Sequence, residues 1–76
     1  MSLKAELCIL LAELEQLDRE HGFVLQRAEA HRAGALQGGI LDMMLYSGAV
    51  RRLAEIEARA LVIENRVGAI ERLLVG

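Results

Sequence analysis

The chain has 76 residues and a formal net charge of −2, and 54% of its residues are hydrophobic although only 3% are aromatic. A chain of this length forms one domain at most, near the size at which a single core barely offsets chain entropy. Its basic and acidic residues are well mixed and form no basic block, which excludes a typical nucleic-acid-binding surface. Proline is absent and helix-forming residues dominate, so the composition predicts an all-α fold.

The sequence shows no sign of export or membrane insertion. Glu6, Glu13 and Glu15 interrupt the layout of a signal peptide. No apolar run approaches the roughly 18 residues of a membrane span. The single cysteine, Cys8, has no partner for an intramolecular disulfide, which fits a reducing compartment. We therefore expect a cytoplasmic protein without a membrane span.

The first half of the chain carries an apolar seam of helical period. Its residues recur in alternating steps of four and three, which is the pattern of positions a and d in the heptad abcdefg of a coiled coil. This seam predicts a helix over residues 3–33, with Ser2 as its N-cap and Glu6 in its first turn. The seam consists of Leu3, Leu7, Leu10, Leu14, Leu17, His21, Val24, Ala28, His31 and Ala35.

Three glycines fall within the stretch 34–39, and a second seam follows them. Clustered glycines are typical of turns, so we predict a turn over residues 34–39 and a returning helix over residues 40–75. The chain 1–76 is then one domain, an antiparallel two-helix coiled-coil hairpin. The second seam consists of Tyr46, Ala49, Leu53, Ile56, Ala60, Ile63, Val67, Ile70 and Leu74.

Charged residues beside the seams predict the register of this hairpin. The first helix carries Glu at positions g and the second carries Arg there, and position g faces position g in an antiparallel pair. All predicted pairs share a midpoint at residue 36, inside the glycine stretch, so charge and turn chemistry predict the same fold-back. Exposed ion pairs contribute about 1 kcal/mol or less each, so they determine register more than stability. The pairs are Glu20–Arg52, Glu13–Arg59 and Glu6–Arg66.

A second set of apolar residues lies outside the seams, at positions b and e. Two helices touching along one seam do not need them, and an apolar stripe of this extent marks an association surface. One seam also buries little apolar area for so small a chain, so a homo-oligomer or a helical protein partner is expected. Self-association would produce a four-helix bundle. The predicted interface consists of Cys8, Leu11, Leu25, Val50, Ala54 and Leu61.

Residues 40–45 form a further apolar patch directly after the turn. Apolar residues at helical spacing usually belong to a core, so the favoured interpretation is that Met43 and Met44 cap the hairpin core. The alternative is an adaptable binding tip, because Met side chains repack readily around a partner. On that alternative, Met43 and Met44 join the predicted interface.

The sequence offers little material for catalysis or metal binding. His21, His31 and Cys8 are its only soft metal ligands, and the two histidines are about 15 Å apart along one helix. Structural zinc needs four closely placed ligands, so a small metal-binding protein is the least favoured class. Cys8 is expected to be a small buried apolar group, since no base lies near it in sequence. We predict no catalytic residue, no metal site and no cofactor.

Residues 44–56 read Met-Leu-Tyr-Ser-Gly-Ala-Val-Arg-Arg-Leu-Ala-Glu-Ile. With a Leu–Tyr pair followed by Leu and Ile at helical spacing, this segment resembles the start of the returning helix in the coiled-coil stalk proteins of flagellar and type III secretion export ATPases. The size and hairpin plan also resemble the small two-helix co-chaperones that hold needle subunits in type III secretion systems. The resemblance implies a secretion accessory role and assigns no individual site residue.

Together these patterns predict a non-enzymatic protein–protein interaction module that oligomerises or binds a partner helix. The alternative is a type III secretion chaperone, co-chaperone or export accessory protein that covers an aggregation-prone helix of a client. Neither function needs a cofactor or nucleic acid.

Overall fold

The protein is an all-α helical hairpin of two antiparallel helices. Its computed structural model describes residues 2–76, so Met1, which the predicted domain includes, lies outside the described residues. Helix α1 spans Leu3–Leu36 and helix α2 spans Ile40–Val75. The two helices pack against each other and form a rod of 55 × 16 × 15 Å.

Helix α1 begins with a side-chain cap. The Ser2 hydroxyl oxygen accepts a hydrogen bond of 3.1 Å from the backbone N–H of Ala5. This bond satisfies one of the N–H groups that the first turn of a helix leaves without a partner. The carboxylate of Glu6 lies in the same turn, near the positive end of the helix dipole.

The connection between the helices is shorter than the sequence predicts. Helix α1 continues past residue 33 and ends at Leu36, and helix α2 begins at Ile40. The predicted fold-back at residue 36 therefore falls on the last residue of α1, just before the connection. The connecting residues are Gln37, Gly38 and Gly39.

A left-handed glycine closes the C-terminus of α1. Gly38 has a φ of +88°, and its N–H donates to the carbonyl of Ala35 at 3.1 Å. The N–H of Gly39 donates to the carbonyl of Gly34 at 2.9 Å. These two bonds form the Schellman motif, which satisfies the last carbonyl groups of a helix. Glycine adopts the left-handed conformation without steric cost, so Gly38 determines where the chain turns.

The core follows the predicted seams. Every buried residue occupies a position a or d, and Ile63 and Ile70 keep only 1% and 0% of their accessible surface. Leu74, the last residue of the second seam, is exposed near the end of α2. Helix α2 supplies more of the closed core than α1, whose N-terminal leucines are only half-buried. The buried residues are Val24, Ala28, Ile56, Ile63, Val67 and Ile70.

Candidate protein-interaction surface

The residues predicted to form an interface at positions b and e are all exposed in the hairpin. Among the larger side chains of this set, the exposed fraction runs from 41% at Leu25 to 58% at Leu61. Positions e and b are neighbours around a helix, so these residues share one side of the hairpin, which we name the e/b face. The set consists of Cys8, Leu11, Leu25, Val50, Ala54 and Leu61.

Cys8 is exposed, so the expectation of a buried apolar group is wrong for the hairpin alone. Cys8 occupies position b, outside the seam that α2 covers, so α2 does not pack over its side chain. The thiol therefore belongs to the e/b face and not to the core.

The opposite side of the hairpin carries the predicted ion pairs, and the structure confirms their register. Arg52 Nε donates to Glu20 Oε1 at 2.8 Å, and Arg59 Nε donates to Glu13 Oε1 at 3.0 Å. The hydrogen bond from Arg52 to Glu20, followed by one to Glu55, raises the pKa of the Arg52 guanidinium. We name this side the g face.

The third pair joins the two ends of the chain. Arg66 donates two hydrogen bonds to the Glu6 carboxylate, from Nε at 2.8 Å and from Nη2 at 3.1 Å. These bonds lower the pKa of Glu6 below its ordinary value and raise the pKa of Arg66. On the g face the acidic side chains of α1 are thus neutralised within the hairpin.

A pH series tests the Glu6–Arg66 pair. A carboxyl group whose pKa is lowered by folding contributes stability above its unfolded pKa of about 4.3, and this contribution is lost as the pH falls through the folded pKa. We expect the melting temperature to fall below about pH 5, and to fall less steeply in Glu6→Gln. Thermal melting followed by circular dichroism measures both.

Glu29→Gln is the control, because Glu29 forms no ion pair within residues 2–76. It removes one carboxylate from α1 without removing a partner of arginine. The same pH dependence in wild type and Glu6→Gln would contradict the role of this pair.

The e/b face contains a groove of about 410 Å³ between the two helices. Its floor is apolar and is formed by Leu14, Leu17, Ile56 and Ala60. Acidic side chains surround this floor: Glu15, Asp18, Glu57 and Glu64. The register explains why acidic side chains from both helices lie together. Position e faces position e in an antiparallel pair, and Asp18 and Glu57 both occupy position e.

Two histidine–carboxylate bonds also join α1 to α2, and the sequence-based predictions do not include them. His21 Nε2 lies 3.2 Å from Glu57 Oε1, and His31 Nδ1 lies 2.9 Å from Asp42 Oδ1. The signal for the second bond was present in the sequence, because Asp42 continues the second seam one step before Tyr46. Both histidines therefore act as polar members of the seam.

The apolar patch after the turn is exposed, so the favoured interpretation of Met43 and Met44 as a cap on the core is wrong. Met43 keeps 49% and Met44 keeps 67% of its accessible surface. These positions lie outside the second seam, on sides of α2 that α1 leaves exposed. We name this exposed end the tip; its large apolar residues are Leu36, Ile40, Leu41, Met43, Met44 and Leu45.

Two further features, a metal site and a membrane-spanning helix, were also considered for the described residues. Within residues 2–76, no three His, Cys, Asp or Glu side chains are grouped so that they could hold a metal ion. Neither of the two described helices combines the length and the apolar character needed to cross a membrane.

Comparisons with protein-family models, with curated proteins and with solved structures give no match to this chain. The resemblance of residues 44–56 to export proteins therefore stays a prediction.

Proposed function

We propose that the protein is a non-enzymatic interaction module, a helical hairpin that binds a partner helix or a second copy through its e/b face. The observation that carries this proposal is the apolar surface that the e/b face exposes outside the seams. The seams already bury Ile56, Ile63 and Ile70, whereas Leu11, Val50 and Leu61 keep about half of their surface in water. Exposed apolar surface of this extent is typical of a protein-binding site.

The size of the core supports the same proposal. The rod is only 16 × 15 Å across, and within residues 2–76 its closed core contains six side chains. Small domains of this kind often reach full stability through association, because a single core supplies only about 3–5 kcal/mol. Association through the e/b face would extend the apolar floor of the groove into a second layer, as in a four-helix bundle.

Replacing Leu61 with Asp tests this proposal. The change places a charge in the proposed contact surface, and we expect at least about tenfold weaker association without loss of helix content, since charged groups are depleted from interface cores. Sedimentation equilibrium measures self-association, and circular dichroism measures folding.

Val62→Asp is the matched control, because Leu61 and Val62 are adjacent on α2 and both are 58% exposed. Val62 occupies position c, on the side of the g face. Equal association of the two variants and the wild type would contradict the e/b face as the contact surface. So would a stable wild-type monomer that binds no partner helix.

The resemblance of residues 44–56 supports a narrower form of this function. In that form the hairpin is a type III secretion chaperone or export accessory protein in the cytoplasm, and it covers an aggregation-prone helix of a client. Co-purification from the native host tests it. Recovery of the protein only with itself would contradict the chaperone form and leave the self-associating form in place.

A further inference from the structure

The e/b face alternates along its axis between apolar and acidic zones. Leu25 lies in the zone nearer the turn and Leu11 in the zone nearer the chain ends, about 21 Å apart at 1.5 Å per residue. Asp18 is halfway between them on α1, and Glu57 faces the same groove from α2. A segment that covers this face must therefore meet an acidic centre between two apolar ends.

The carboxylates of the acidic zone have no arginine or lysine partner in the hairpin. Glu57 lies next to His21, but three other carboxylates form no ion pair within the described residues. These three are Glu15, Asp18 and Glu64. The basic residues at positions e and b lie only toward the two ends of the hairpin, at Lys4 and Arg32. Unlike the arginine-paired carboxylates of the g face, these carboxylates remain available to cationic side chains of another molecule.

A second copy of the chain fits this centre poorly. If two hairpins met through their e/b faces about a two-fold axis, the apolar zones would overlap best with the axis near Asp18, midway between Leu11 and Leu25. That arrangement places Asp18 and Glu57 of one copy against the same residues of the other. Like charges brought together at an interface are unfavourable, so the arrangement with the best apolar overlap is also one that brings repelling carboxylates together.

We propose that the e/b face binds a helix of another protein that carries Arg or Lys at its centre and apolar residues about two turns to either side. This inference rests on the proposed function and specifies the chemistry of the partner. The apolar ends would cover Leu11 and Leu25, and the central cations would pair with Asp18 and Glu57. Gly22 lies beside this centre with open space around it, so a partner backbone can approach closely there.

Three synthetic helical peptides test the proposal with the full chain. They share the same leucines on one side and differ only at three central positions, which carry Arg, Gln or Glu. Fluorescence anisotropy of labelled peptides measures Kd at low salt and at about 0.5 M salt. We expect the Arg peptide to bind at least about tenfold more tightly than the Gln peptide at low salt, to lose most of that advantage at high salt, and the Glu peptide to bind weakest.

Two variants and one control locate the charge effect on this face. Glu57→Gln keeps the hydrogen-bonding shape beside His21 and removes the charge, and we expect it to weaken binding of the Arg peptide about three- to fivefold. Asp18→Asn should act in the same direction. Glu55→Gln removes a charge from position c of the same helix, toward the g face, and should leave binding unchanged.

The outcomes separate this inference from the proposed function. Equal binding of all three peptides, abolished in each case by Leu61→Asp, would overturn the cationic centre and keep the e/b face as a contact surface. A wild-type homodimer that Leu61→Asp dissociates and that none of the peptides displaces would also overturn it, because the occupant is then a second copy. Binding of no peptide by a stable monomer would overturn both.

Discussion

Replacing Ile56 with Asp will unfold the hairpin. Ile56 keeps only 2% of its accessible surface, at the centre of the seam between α1 and α2. The change removes a buried aliphatic side chain, which costs about 2–5 kcal/mol, and places a carboxylate at a position from which water is excluded. A single core in a chain of this size supplies only about 3–5 kcal/mol, so the loss takes most or all of it. Urea denaturation followed by circular dichroism measures the effect.

Leu14→Asp should act in the same direction with a smaller effect, because Leu14 is only half-buried on α1. Leu61→Asp is the comparison on the exposed side, and it should leave the folding of a single hairpin unchanged. An equal loss of monomer folding in all three variants would contradict the separation between a seam that folds the chain and a face that binds.

Replacing Gly34 with Ala should destabilise the hairpin by about 2 kcal/mol, although alanine is the better helix former. A Cβ atom at Gly34 would lie 1.9 Å from Asp42 Oδ2 and 2.5 Å from Asp42 Cγ. The carboxylate would have to move, and it would lose its 2.9 Å bond to His31. Urea denaturation of the variant measures the cost.

Gly48→Ala is the matched control, because a Cβ atom there meets nothing within 4 Å. It should stabilise the hairpin by about 1 kcal/mol through helix propensity alone. Gly34→Ala combined with Asp42→Ala should cost less than the sum of the two single changes, since the second removes the side chain that the first displaces. Additive costs would show that crowding against Asp42 is not the cause.

The features that depend on residue spacing were predictable from the sequence. Burial of Ile56 and Ile63 follows from the alternating steps of the seam, which place both on the side facing α1. The Glu13–Arg59 bond follows from the facing g positions of antiparallel helices. These contacts repeat along the whole rod, so the heptad positions of one contact predict the position of the next contact.

The features at the turn depend on local geometry and were harder to predict. The glycine stretch does not reveal which glycine takes a positive φ. The sequence therefore predicts that α1 ends at residue 33, before its observed end at Leu36. Apolar spacing does not distinguish a core from a surface within a continuous apolar run, so it assigns the exposed Met44 to the core. Asp42 stands within an apolar run, and its partner His31 lies on the other helix, so no local pattern pairs the two.

The N-terminus of α1 and the C-terminus of α2 lie at the same end of the rod, as the Glu6–Arg66 bonds require, and the tip lies at the other end. A hairpin tethered through either terminus would therefore present the tip, where α1 ends at Leu36, at a reach of about 50 Å, the length of a 34-residue helix. A dye or affinity tag attached to either terminus would stay clear of the tip. Binding at the tip can thus be measured on protein that is labelled at either terminus.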